Sequence, residues 1–509
     1  MMEKIRKVFF KYKLELIALI LTLVGFIFRI NGLWLNYSFW TDEASTARFA
    51  RGVLETGLPK IPTTGYMENS YFVTHYLTAL SFKIFGINEF AGRIPEVIFG
   101  SLLILATYFF GKKLFNEFVG LGGAALVTFS YIQIAWSRQA RGYVILQFFY
   151  LLSLLNFYLF IKEKRKINLF LFILFALFAV WTHTLGLIIF PFAGLYLFYE
   201  RNILKNFFKN KIFWGGLFLF LLFLLFGTNF LPTVKIIFQD KILNFKTSGI
   251  FVSYYHSLLW RQYSLITFLA MIALVILWIK KEKNLVLFLV LFLATYMFSI
   301  SFLVGVPFEK YSLPVFPIIF SLASFSLWEI SRRLVIRKRK AIILFVIFIL
   351  FIIGNGNKFS LKPRFFYTLN FDMREIPEID FKTFYSLVLS MMDKKDEAVA
   401  LVDIHHDMPA WYLGEGRNLF IPRKDVPEKR KQNINSGATF IHSLEEFKEV
   451  KNRYPRGFVV LTEHDFRFYP EGFVDFVRKN SRLEKKEEYA WFSPDWNRWT
   501  IELYSWGFK

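Results

Sequence analysis

Two adjacent acids, Asp42 and Glu43, stand in the stretch Ser38-Phe-Trp-Thr-Asp-Glu-Ala-Ser-Thr-Ala-Arg48. Carboxylates there have two uses. They stabilise the first turn of a helix capped near Thr41 through its dipole, or one of them takes the proton of an incoming hydroxyl as a general base. Adjacent helical residues point about 100° apart, so only one of the pair faces a given reactant directly. Further along, Arg138 and Arg141 lie in Ser137-Arg-Gln-Ala-Arg-Gly-Tyr143. At i and i+3 they share one helical face, where they either grip a phosphate with their planar forks or snorkel toward lipid headgroups. His183, in Trp181-Thr-His-Thr-Leu-Gly186, is a packing or capping residue in the plain reading and a site residue in the other. Lys310 and Tyr311, in Pro307-Phe-Glu-Lys-Tyr-Ser-Leu-Pro314, set a cation beside a phenol, which binds a phosphate unless Lys310 pairs with Glu309. Acids, arginines, a histidine and a lysine together suit the transfer of a group from a lipid-linked phosphate, because a departing anion needs cations and an incoming hydroxyl needs a base.

The elements that must carry these residues are membrane helices. The chain has 509 residues, 55% of them hydrophobic and 66 of them Phe, and a mean hydropathy of +0.40, far more apolar than a soluble protein. Apolar runs long enough to span a hydrocarbon core are expected at eleven places, near 14–33, 91–110, 118–136, 143–161, 167–182, 184–199, 212–234, 263–279, 284–303, 311–330 and 341–355. The first is too long for a cleavable signal peptide and lacks a small-residue cleavage site.

Lys and Arg collect in alternate loops, from the tail before Leu14 to the Arg332–Lys340 cluster, which places those loops in the cytoplasm. The expected topology is a multi-pass plasma-membrane protein with a cytoplasmic N-terminus and an external C-terminus. The formal net charge of +23 is then a topology signal: residues 1–355 hold 37 of the 62 basic and 15 of the 39 acidic side chains. No nucleic-acid motif accompanies it. The external loop 34–90 contains two amphipathic stretches, Asp42 to Glu55 and Tyr71 to Phe85, that read as helices lying in the interface. Loop 235–262, with Tyr254, Tyr255, His256, Trp260 and Arg261, is a second aromatic external segment.

From about Asn357 the pattern becomes charged and mixed. Strands at 398–403 and 457–462, a helix at 443–453 and a hairpin at 489–504 point to a small α/β domain. The expected division is a membrane catalytic domain over 1–355, including the interfacial helices, and an external α/β domain over 356–509. Cysteine is absent, which excludes disulfides and Cys-ligated metals.

The chain resembles the multispanning glycosyltransferases of the GT-C fold, in particular the protein O-mannosyltransferases and the aminoarabinose lipid A transferases. The resemblance rests on Phe39-Trp-Thr-Asp-Glu43, Phe82-Lys-Ile-Phe-Gly-Ile-Asn-Glu-Phe-Ala-Gly-Arg-Ile-Pro95, Ser137-Arg-Gln-Ala-Arg141, Thr182-His183 and Lys310-Tyr-Ser-Leu-Pro314, in that order over about residues 14–330. It implies inverting transfer of a sugar from a polyprenyl-phosphate donor to an acceptor hydroxyl of a lipid, glycan or protein, on the external face of the bilayer. Asp42 matches the family's acidic residue and would be the base, with Glu43 beside it as a catalytic or support residue. Arg138, Arg141, Lys310 and Tyr311 would hold the departing lipid phosphate, and His183 would line the site. Many relatives carry a His or Lys followed by prolines before the second interfacial helix; here His75 comes a few residues late and its role stays open. The resemblance implies no essential cofactor, whereas two adjacent acids are able to hold a divalent metal ion. Competing readings are a lipid or polysaccharide flippase, disfavoured by the lack of an internal repeat, and an inactive membrane scaffold.

Overall fold

The computed structural model describes residues 12–35, 37–68, 71–200, 250–355, 358–364, 379–392, 399–493 and 496–508, with 211, 214, 215 and 218. In chain order the helices are α1 (Lys13–Ile30), α2 (Thr41–Thr56), α3 (Phe72–Phe85), α4 (Glu89–Leu114), α5 (Glu117–Phe129), α6 (Tyr131–Trp136), α7 (Tyr143–Glu163), α8 (Lys166–Thr182), α9 (Ile189–Tyr199), α10 (Val252–Ser257), α11 (Ser264–Ile279), α12 (Lys283–Phe302), α13 (Phe316–Leu334) and α14 (Lys338–Asn355). After them come α15 (Phe381–Met391), β1 (Val399–Asp403), α16 (Asp407–Leu413), β2 (Asn418–Pro422), β3 (Thr439–Ile441), α17 (Leu444–Arg453), β4 (Arg456–Thr462), α18 (Phe473–Asn480), β5 (Arg482–Ser493) and β6 (Trp496–Trp506).

Two compact units result. The first comprises Met1–Gly32, Asn69–Thr74 and Ile94–Phe365, and the second Leu33–Glu68, His75–Arg93 and Phe366–Lys509. The expected boundary at 355 kept loop 34–90 with the membrane helices; packing groups most of that loop with the C-terminal chain instead.

In the first unit, α7 and α8 form a tight antiparallel pair, and α13 packs against α5, α11 and α14. Residue choice explains the breaks. Asn116 caps α5 by accepting from the N–H groups of Phe118 and Val119 at 3.0 and 3.1 Å. Ser130 is extended and ends α5, so the expected span 118–136 is two short helices. Gly120 lets α5 approach α4: a Cβ there would lie 2.4 Å from the Tyr108 carbonyl oxygen.

Five helical stretches among the described residues are long and apolar enough to cross a membrane: Lys13–Leu35, Glu89–Leu114, Tyr143–Glu163, Lys283–Phe302 and Glu309–Leu334. A sixth is added if Val252–Gln262 and Ser264–Ile279, bent by 97°, count as one span. Shorter apolar helices occupy other expected positions among the described residues, at Glu117–Phe129, Lys166–Thr182 and Thr184–Tyr199. The expected span 212–234 lies outside the described residues, apart from 214, 215 and 218, as does 235–249 of the second external loop.

The second unit is built on a six-stranded sheet of order β3-β2-β1-β4-β6-β5, parallel from β3 to β4 and antiparallel from β4 through β6 to β5. Its core gathers Val402, Phe420, Phe447, Val459, Leu461, Phe473 and Trp506. Ser443 caps α17 through its hydroxyl, which accepts from the Glu446 N–H at 3.2 Å. The expected strands, helix and hairpin are present; the hairpin is longer than its apolar residues suggested because β5 begins in a charged run, Arg482-Leu-Glu-Lys-Lys-Glu-Glu488.

Candidate functional site

Within the first unit, residues 137–142 form an irregular turn, so Arg138 and Arg141 do not share a helical face as the i, i+3 spacing suggested. Arg138 is buried, and its Nη1 donates to the carbonyl oxygens of Phe28, Arg29 and Asn31 at 3.4, 2.9 and 2.5 Å. It thereby satisfies carbonyls that the end of α1 leaves unpaired. Arg29 ties the same place from the other direction, donating to the Val127 carbonyl at 3.2 Å and to the Ser137 hydroxyl at 3.1 Å.

The remaining predicted residues of this unit meet around one ring. Tyr143, the first residue of α7, has the Arg141 guanidinium 5.8 Å and the Lys310 ammonium 5.2 Å from its centroid. The His183 ring lies 5.0 Å and the Tyr311 ring 6.0 Å from it. Arg141 also stands over Tyr71 at 5.3 Å, and buried Lys310 over Phe308 and Trp136 at 4.4 and 5.4 Å. Ring faces attract a cation through their quadrupole. His183 accepts at Nδ1 from the Leu185 N–H at 3.0 Å, which leaves Nε2 to carry the proton. Burial, then the charges of Arg141 and Lys310, push its pKa down to about 3, so the imidazole is neutral.

The sequence reading missed Tyr143, Tyr71 and Trp136, whose only signal was aromatic residues beside charges at a span end. It also passed over Glu96, a buried carboxylate inside α4 that is electrostatically coupled to Arg141. Arg261 was noted without a role, and Lys358 not at all. Both line a cavity of about 300 Å³ with Gln262, Tyr263, Phe351 and Phe359. Burial lowers the Lys358 pKa, against the pull of Glu309.

In the second unit, Asp42 sits in the first turn of α2. Glu43 is buried, and both its oxygens accept from Arg93 at 2.7 Å. Arg93 further donates to the carbonyls of Tyr37 and Ser38 at 2.9 and 3.0 Å. Glu43 therefore anchors the turn that carries Asp42. With both oxygens engaged by Arg93, the pair does not fit the two-acid metal seat that the sequence allowed. Among the described residues, no three His, Cys, Asp or Glu side chains gather as a metal site would require. His75 is buried in this unit with its ring 5.2 Å from that of Phe49.

Known proteins match on several levels. A family model described as dolichyl-phosphate-mannose-protein mannosyltransferase matches residues 70–226. An uncharacterized protein of Aquifex aeolicus (strain VF5) is 27% identical over 217 residues, 41% of this chain; the match spans 42% of that relative, less than half its length. The solved structure of ArnT from Cupriavidus metallidurans bound to undecaprenyl phosphate superposes with a TM-score of 0.58 and 11% identity, covering 96% of this chain and 97% of that one. The chain has the GT-C fold. An apo oligosaccharyltransferase of Archaeoglobus fulgidus shares the GT-C fold, with a TM-score of 0.56 and 12% identity over 96% of this chain and 74% of its own. The GT-C fold bears out the expected class, a polytopic helical membrane protein with a C-terminal α/β part, but not the expected number of spans.

Proposed function

We propose that this chain is a membrane glycosyltransferase that moves a sugar, with inversion, from a polyprenyl-phosphate donor to an acceptor hydroxyl on the external face of the bilayer. The observation that carries this reading is the cavity lined by Arg261 and Lys358: two cations beside Leu265, Ile266, Phe351, Ile352 and Phe359 suit an anionic head on an apolar tail. The cations gathered at Tyr143 support the same ligand class, as does a shared fold with a protein solved with undecaprenyl phosphate.

In the reaction, the acceptor O–H gives its proton to Asp42 while its oxygen bonds to the anomeric carbon. The bond from that carbon to the phosphate oxygen breaks, and the leaving phosphate takes the electron pair. Arg141, Lys310 and Tyr311, with Arg261 and Lys358, supply the positive potential that stabilises it. Neutral His183 lines the site as a donor without adding charge. Arg138 serves the end of α1.

The test is release of polyprenyl phosphate by the purified protein from dolichyl-phosphate mannose and a panel of other polyprenyl-phosphate sugars, with hydroxyl acceptors. Asp42→Asn should lower turnover by about 10²–10⁴-fold and leave undecaprenyl phosphate binding unchanged. Unchanged turnover in that variant overturns the base assignment. No turnover of any donor by a folded protein that binds undecaprenyl phosphate overturns the transfer reaction. Mass spectrometry of lipid-linked sugars and surface glycans after gene deletion would identify sugar and acceptor.

A further inference from the structure

The segment that carries Asp42 is held by the α/β part of the second unit at several independent points. The Ser38 hydroxyl donates to the Ile379 carbonyl at 2.6 Å, and the Phe39 N–H donates to the Tyr412 hydroxyl at 2.7 Å. The Phe39 ring is fully buried, 5.4 Å from Trp411. Tyr412 is itself stacked on Tyr385, whose hydroxyl donates to Asp403 at the end of β1 at 2.6 Å.

The strongest tie comes from Arg48, which is buried on α2. It forms an ion pair with Asp407 and donates to both oxygens of Glu415 at 2.6 and 2.8 Å, and to the Asn435 carbonyl at 3.1 Å. One turn later Arg51 lies over Trp411 at 4.5 Å. Burial alone would raise the Asp407 pKa, but His406 and Arg48 bring it down to about 2, so the acid end of the clamp stays ionised. Six residues separate Asp42 from Arg48, which puts them about 120° apart around the helix. The clamp thus grips α2 away from the face that presents Asp42.

We propose that Arg48 is a positioning residue for Asp42, and that the C-terminal α/β part exists in this chain at least partly to hold the base through Arg48, Asp407 and Glu415. This rests on the reading of Asp42 as the base. An unrestrained helix end samples many orientations, and a misplacement of about 1 Å can cost a hundredfold in rate. Ion pairs from a sheet-based scaffold reduce that freedom.

The experiment compares Arg48→Gln, Arg48→Lys and Glu415→Gln in the full chain. Turnover is measured with whichever polyprenyl-phosphate sugar the wild type uses, undecaprenyl phosphate affinity in parallel, and amide hydrogen exchange over residues 38–48 and over β1 and β4. Arg48→Gln should lower kcat at least tenfold, change donor KM and undecaprenyl phosphate affinity by less than twofold, and speed exchange in 38–48 while β1 and β4 keep their protection. Arg48→Lys should recover part of the kcat. If Arg48→Gln does not fold, Glu415→Gln, which breaks only the partly exposed arm, should show the same pattern with a threefold to tenfold loss. Unchanged kcat, or a loss of protection spread equally over the sheet, overturns the proposal. If Asp42→Asn is fully active, the base reading fails first; if Asp42→Asn is inactive and Arg48→Gln behaves as wild type, the positioning role alone fails.

Discussion

Two pairs of arginine or lysine side chains, one pair in each unit, sit in different surroundings. In the second unit, Arg48 and Arg93 are buried against carboxylates, and His405 lies between Asp403 and Asp465 at 3.4 and 3.1 Å. In the first, Arg141 and Lys310 are set over the rings of Tyr71, Tyr143, Trp136 and Phe308. A carboxylate cancels a cation's field, while a ring screens it only weakly. Two histidines shift in opposite directions: burial, then the charges of Arg141 and Lys310, push His183 down to about 3, while Asp403 and Asp465 outweigh burial and hold His405 up to about 10. Arg48 and Arg93 are thus tied to acids, whereas Arg141 and Lys310 are set against ring faces, and the proposed transfer asks these two to meet the leaving phosphate.

Removing one cation from each unit tests that contrast. Arg93→Ala leaves Glu43 buried without its partner and frees the carbonyls of Tyr37 and Ser38, which should cost about 3–5 kcal/mol. The expected result is a large drop in thermal stability, read by tryptophan fluorescence in detergent. Lys310→Ala should instead leave the melting temperature within a few degrees and weaken undecaprenyl phosphate binding by about 10–100-fold, equivalent to about 1.4–2.8 kcal/mol. If the two variants exchange these phenotypes, the division of labour is wrong.

How far the sequence reveals this arrangement depends on the range of the interactions. Local pattern sufficed for the apolar helices, for β1 and β4, and for the helix at 443–453, because each follows from residues within one turn or one strand. It failed where a partner is distant. Arg48 meets Glu415, 367 residues away, and nothing in Thr41–Thr56 marks it as a clamp. Arg138 and Arg141 looked paired only under the assumption of a helix; the turn sends one to the end of α1 and the other to Tyr143. The stretch 118–136 reads as one span because apolarity shows which segments are buried, not where Ser130 interrupts them. The pair Asp42-Glu43 stands out in the sequence because charges after a first span are unusual, whereas the Arg93 bonds that make Glu43 an anchor had to be seen in three dimensions.

The smallest effect expected comes from pH, and it probes the same contrast through the histidines. Burial opposes the charge on His405, but hydrogen bonds to Asp403 and Asp465 prevail and raise its pKa to about 10. The folded protein therefore holds a proton that the unfolded chain, with a histidine pKa of about 6.5, has lost. This stabilisation is complete below that value and disappears as pH rises through about 10, with a slope of at most about 1.4 kcal/mol per pH unit. His183 acts in the other direction. It stays neutral in the folded state, so stability falls as pH drops below about 6.5, toward its folded value of about 3. Thermal unfolding of the full chain from pH 5 to 9.5 should give a curve that declines at both ends. Asp465→Asn should flatten the alkaline side and His183→Gln the acid side, each sparing the other. If Asp465→Asn leaves the alkaline decline intact, His405 is not the group that loses its proton there, and the carboxylates around it do not hold its charge.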